Sequence, residues 1–200
     1  MVIGISGKFG SGKSHFARKL SEETQIPMFH FDKYIIKQLM RPHIKWVAQW
    51  KLRKKLSLEH SHLLSNLGSL DRNLRWYEKW LILRWGNKKL KQLVKSCEPV
   101  IIDFFALPIS KYFDKFGLTV LVKADEQDRK KRFGERNNFT EEQVNQVDEI
   151  ARDIVDYDEC EFDSVIVNDY LPMEQSMFDL WVKTHIGNKG NFTNLVKKPN

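Results

Sequence analysis

Val2-Ile3-Gly4-Ile5-Ser6-Gly7-Lys8-Phe9-Gly10-Ser11-Gly12-Lys13-Ser14 opens with a short apolar run and continues into a string that satisfies GxxxxGK[ST] in full. A strand predicted over Val2 to Ser6, this string, and a helix predicted from Lys13 follow one another without a gap. In that setting the pattern forms a phosphate-binding P-loop. Its glycines let successive backbone amides converge on an anion, and the helix adds the positive end of its dipole. Gly7, Phe9, Gly10, Ser11 and Gly12 then line a triphosphate site in which Lys13 reaches the β and γ phosphates and Ser14 ligates Mg2+. His15, in the first helical turn, reads as a phosphate neighbour or a packed surface group.

Working outward, short apolar runs recur at Pro27–Phe31, Pro99–Phe104, Leu118–Val122 and Asp163–Asn168. They are brief and apolar on both faces, as strands inside a parallel sheet are. Helix-like stretches separate them. Phe16, Ala17 and Leu20 recur at helical spacing within Lys13–Glu23, Glu126–Glu135 reads as a further helix, and Thr140-Glu141-Glu142-Gln143 is a capping box opening another. Pro172 suits the first turn of a last helix running to His185. Parallel strands joined through helices need crossover connections, so the expected fold class is α/β, a doubly wound parallel sheet of about five strands.

A chain of 200 residues, 42% of them apolar, suits a single globular domain. It is long enough to bury about 70% of its unfolded surface without disulfides or a structural metal. Cys97 and Cys160, in no CxxC or Cys/His cluster, point to a reducing compartment and away from zinc. No apolar run approaches the roughly 18 residues of a membrane span. No cationic leader precedes the first strand, so a cytoplasmic protein is expected.

The net charge of +7 is unevenly placed. From Lys37 to Lys95, 15 Lys and Arg face three acids, which leaves the other 141 residues with five acids in excess. Trp46, Trp50, Trp76, Trp80 and Trp85, five of the six tryptophans, fall in the same segment. The expected organisation is a nucleotide-binding core at 1–36 and 97–186, a basic helical insert at 37–96 that holds the acceptor, and a flexible tail at 187–200. The spacing of Trp76, Trp80 and Trp85 favours helical core over a ligand platform. The acidic frame offers no second basic tract to follow a nucleic-acid backbone, so a small molecule is the expected partner.

Two carboxylates stand where ligands bind in open parallel sheets, beyond the carboxyl ends of strands. Asp32 follows the second strand, placed to take a hydroxyl proton during in-line attack on a γ-phosphate, or to cap a helix from Lys33. Asp103 closes Val100-Ile101-Ile102-Asp103, a Walker-B-like strand end suited to a Mg2+ water or a bound substrate. Arg129, Arg132 and Arg136 are three and four apart along one helix face or just past its end. Guanidinium groups there can close over a transferred phosphoryl group as a lid; the same stretch also reads as a charge run pairing Lys130 and Lys131 with Glu126, Asp128 and Glu135.

Together these residues resemble the dephospho-coenzyme A kinase family from Val2 to about Trp181. Ile3-Gly4-Ile5-Ser6-Gly7 with Gly10-Ser11-Gly12-Lys13-Ser14 is similar to that family's P-loop, and His30-Phe31-Asp32-Lys33-Tyr34-Ile35 to its "DAD.I" segment. Gly68-Ser69-Leu70-Asp71-Arg72 resembles its "GxxDR" turn, and the arginines up to Thr140 its lid. Asp163-Ser164-Val165-Ile166-Val167-Asn168 resembles its "ADxVIDN" strand. The resemblance implies a P-loop kinase with a lid near 125–140, using ATP and Mg2+ to phosphorylate dephospho-CoA. It implies Asp32 as base, Lys13, Arg132 and Arg136 as catalytic, Arg132 and Asn168 at ATP, and Asp32, Arg72 and Asp103 at the acceptor. Phe104-Phe105-Ala106-Leu107-Pro108 departs from the family's "PLLFE", Trp85-Gly86-Asn87-Lys88 stands where "HP" is expected, and "QxPxxxK" is absent.

Two other readings stay open. One is another P-loop nucleoside or nucleotide kinase, which the same architecture supports. The other is a nucleotide-binding module without acceptor chemistry. A GTPase needs NKxD after a late strand, and Asn188-Lys189-Gly190-Asn191 lacks the aspartate.

Overall fold

The computed structural model describes residues 1–39, 72–96, 98–168 and 175–187. The apolar runs form five strands, β1 (Val2–Ser6), β2 (Met28–His30), β3 (Val100–Asp103), β4 (Leu118–Lys123) and β5 (Ser164–Val167). All pair in parallel in the order β2-β3-β1-β4-β5. Around them lie α1 (Lys13–Thr24), α2 (Phe31–Leu39), α3 (Arg72–Lys95), α4 (Glu126–Asn137), α5 (Glu141–Ile154) and α6 (Gln175–His185).

Strand alternation divides the buried residues between two faces. Ile3, Ile5, Ile101, Val120 and Ile166 meet Phe16, Ala17 and Leu20 of α1 and Phe178 and Val182 of α6. On the other face Val2, Val100 and Ile102 meet Phe31 and Ile35 of α2, Leu90 of α3, and Phe104 to Leu107. Because both faces are covered, the central strands are mostly apolar, which is why they read as continuous runs.

Two boundaries differ from expectation for physical reasons. β2 ends at His30, and Phe31 already belongs to α2, its ring fully buried 4.6 Å from Phe104. Asp32 therefore lies within the first helical turn, and the position before the helix is His30, so the capping place expected for Asp32 is not the one it takes. α4 continues to Asn137, where Asn138 stops it in a left-handed conformation with φ 57°. The capping box forms as expected: Gln143 N–H donates to Thr140 Oγ1 at 3.3 Å and Thr140 N–H to Gln143 Oε1 at 2.9 Å.

Of the insert, α3 is described; its Trp85, Leu93 and Val94 pack on the core, whereas Trp80 is 40% exposed beneath the Arg84 guanidinium. Trp46, Trp50, Gly68 to Asp71, Pro172, Asn188 and the rest of the tail lie outside the described residues. Among the described residues, no helix is long and apolar enough to cross a membrane.

Candidate functional site

The loop leaves β1 at Gly7 and enters α1 at Lys13. At Gly10 φ is 81°, and a Cβ would lie 2.2 Å from the Arg129 carbonyl oxygen; at Gly12 φ is 92°, and a Cβ would lie 2.2 Å from Asn168 Nδ2. Only glycine meets both the backbone angle and the clearance. Asn168, one residue past β5, donates from Nδ2 to the Ser11 carbonyl at 2.9 Å, and its N–H donates to the Lys123 carbonyl at 2.8 Å. The residue that the resemblance places at ATP is thus tied to the loop itself.

His15 and Phe16 N–H groups donate to the Gly12 carbonyl at 2.9 and 3.0 Å, which starts α1 at the loop. Helix geometry leaves first-turn amides without intrahelical acceptors, the property that makes such a terminus bind anions. Lys13 is buried, with Nζ 5.4 Å above the Phe9 ring; Ser14 is half-buried and His15 exposed. The Phe9 ring lies between Phe105 at 5.2 Å and Phe133 at 5.5 Å. Its side chain packs the loop against the chain after β3 and against α4.

The three arginines of α4 divide. Arg129 is 3% exposed and makes two bonds to Asp148 of α5, at 2.6 and 2.8 Å, with Arg152 donating to the same carboxylate at 3.2 Å. Burial alone raises the Asp148 pKa; the bonds and charge of Arg129, with Lys130 and Arg152, outweigh it and hold the carboxyl below its usual value. Arg132 is half-buried and Arg136 exposed, its guanidinium 5.8 Å from the Phe133 ring. The lid expected from all three therefore loses Arg129, which joins α4 to α5. The charge-run reading holds for Lys130, 2.9 Å from Glu126; hydrogen bonding to Lys130 lowers the Glu126 pKa.

On the opposite side of β1, Asp103 is 2% exposed. Its Oδ2 lies 3.6 Å from His30 Nδ1, and its Oδ1 has no hydrogen-bond partner, a condition shared among the described residues by Ser11 Oγ. Ser6 Oγ, 2.9 and 3.0 Å from the Phe104 and Phe105 carbonyls, donates between them and fixes the chain after β3. Tyr157 Oη donates to the Phe105 carbonyl at 2.7 Å. Asp32 stands in the first turn of α2 and Arg72 opens α3.

A buried carboxylate oxygen lacking a partner, on the strand paired with the one that leads into the P-loop, suits a hydrated Mg2+, which keeps its waters and uses one or two carboxylates with substrate phosphates. No group of three or more His, Cys, Asp or Glu that could hold a metal ion occurs among the described residues.

His30, Asp148 and Ser6 were not singled out from sequence. His30 and Asp148 carry no local signal, because each meets its partner across a register or a helix pair. Ser6, a polar residue ending an apolar strand, is the one a reader could have marked.

Residues 3–153 match a family model described as an AAA domain. No curated protein matches significantly. Among solved structures, TT1252 from Thermus thermophilus is 20% identical, with 94% of this chain and 98% of that one covered and a TM-score of 0.61. Dephospho-CoA kinase from Campylobacter jejuni is 14% identical over 94% and 98%, TM-score 0.52. Deoxyadenosine kinase from M. mycoides is 14% identical over 92% and 98%, TM-score 0.51. At such identities the likeness is one of fold, the α/β fold of P-loop kinases.

Proposed function

The chain belongs to the AAA domain family, and on that premise we propose that it is a phosphotransferase, moving the γ-phosphoryl group of ATP to the ribose 3′-hydroxyl of dephospho-CoA. The observation that carries this reading is a complete phosphate loop beside a buried carboxylate, Asp103, with an unpartnered oxygen. The finer choice of acceptor rests on the likeness of the Asp32, Arg72 and Asn168 segments to dephospho-CoA kinases.

In this reading the loop amides and Lys13 hold the β and γ phosphates. Mg2+, when bound, neutralises phosphate charge, with Ser14 as ligand and Asp103 toward its waters. Asp32 accepts the proton of the acceptor hydroxyl as that oxygen bonds to Pγ and the bond from Pγ to the β,γ-bridging oxygen breaks, releasing ADP. Arg132 and Arg136 approach the equatorial phosphoryl oxygens, where charge builds in the transition state. Asn168 borders the base, and the insert with Arg72 holds the acceptor.

The test is an acceptor screen with ATP and Mg2+, using dephospho-CoA, adenosine, nucleoside monophosphates and pantothenate, with products identified by mass. Coenzyme A is the expected product. Transfer only to a nucleoside or nucleotide moves the reading to that kinase class, and ATP binding without transfer to any acceptor leaves a binding module. Lys13→Ala should cut transfer by about 10³-fold in a chain that still folds, since the lost charge is the one that meets phosphate.

A further inference from the structure

His30, the last residue of β2, faces Asp103, the last of β3, as its register partner. Two residues earlier, Met28 and Ile101 pack on the α1 face of the sheet. Strand alternation therefore turns His30 and Asp103 to that same face, the one from which the phosphate loop enters α1. Their approach of 3.6 Å is longer than a hydrogen bond and within the range of a charge pair. The Asp103 side chain is 3% exposed and that of His30 32%.

The two carboxylate oxygens of Asp103 are therefore unlike. Oδ2 has the imidazole beside it, whereas Oδ1 is buried with no protein group to bond. A buried carboxylate oxygen left so is costly unless something outside the protein completes it. The side chain also has to be kept from rotating that oxygen away.

We propose that His30 is a positioning residue: it holds Asp103 through Oδ2 so that Oδ1 is presented to the hydration shell of the Mg2+ that accompanies the nucleotide. This inference deepens the phosphotransfer reading and rests on it. Partners that orient metal-facing groups typically change metal affinity by about 10–100-fold on removal.

Mn2+ serves as the probe, its free concentration read by electron paramagnetic resonance, with the full chain and a non-hydrolysable ATP analogue. His30→Ala should weaken Mn2+ binding about 10-fold, with analogue affinity in the absence of metal unchanged. His30→Phe, which keeps a ring and loses both nitrogens, should do the same, so a fault specific to the smaller side chain is told apart. Adding His30→Ala to Asp103→Asn should cost nothing further. Wild-type Mn2+ binding in both His30→Ala and His30→Phe overturns the inference. A wild-type chain that binds neither analogue nor Mn2+ overturns the phosphotransfer reading and this inference with it.

Discussion

The two flanks of β1 are finished in opposite ways. Toward β4 and α4 the charged and amide side chains are paired, Arg129 with Asp148 and Asn168 with the Ser11 carbonyl, the Phe9 ring lies between two others, and only the neutral Ser11 hydroxyl is left without a partner among the described residues. Toward β3 and β2 a buried carboxylate keeps one oxygen unpaired and meets its histidine at 3.6 Å. Folding tolerates an unsatisfied buried group only where something else repays it, so the β4 flank fixes the shape of the loop and the β3 flank is left for ligands. Substitutions on the first should change stability, and on the second turnover.

The largest effect is expected at Asp32. Asp32→Asn should lower kcat for dephospho-CoA by roughly 10² to 10⁴ while the melting temperature stays at wild type. An undiminished kcat in the folded variant would remove Asp32 from the chemistry and leave Asp103 as the remaining carboxylate on that flank.

Asp148→Ala, on the β4 flank, should cost about 3–5 kcal/mol in denaturant unfolding, because the buried Arg129 loses its two short bonds and keeps only Glu126 at 3.7 Å and the Phe9 carbonyl at 3.5 Å. The pH dependence follows from the lowered Asp148 pKa. A carboxyl depressed on folding adds stability above its unfolded pKa of about 3.9, and that stability is lost as pH falls through the folded value. Wild type and Asp148→Asn should therefore differ most above pH ~5 and converge in acid; parallel curves would show that the pair does not titrate with folding.

Arg136 tests whether the comparison holds within one helix. Arg136→Ala should lower kcat about tenfold with little change in KM for ATP or in stability, as expected for a contact made in the transition state. A change in KM alone would place it in ground-state binding. The smallest effect is expected at Thr140→Ala, which removes half of the capping box and should cost about 1 kcal/mol without touching kinetics.

What could be read before the fold was known follows the same division. The loop, α1, the strands and the capping box are local patterns, each specified within about a dozen neighbouring residues, and they appear where the sequence places them. Periodicity groups Arg129 with Arg132 and Arg136 because it identifies a helix face. It does not say how far along that face a neighbouring helix reaches. Asp148 meets the first turn of α4, while Arg136 lies in the last. His30 and Asp103 meet through a register between β2 and β3 that the long insert separates in sequence. The start of α2 at Phe31 was set by burial of that ring, a tertiary effect that outweighed the capping preference of Asp32.

The sheet order has a consequence for how the protein comes into being. β1 is first in the chain and central in the sheet, and its neighbours begin at Val100 and Leu118. A growing chain emerging from the ribosome thus delivers the phosphate loop early and its supports late, with Arg129 and Asn168 among the last to arrive. The two strands that β1 pairs with arrive only from Val100 onward, so the folding of the loop waits on contacts distant in sequence, the slow kind. The most local motif in the sequence is, in time, among the last parts of the molecule to be finished.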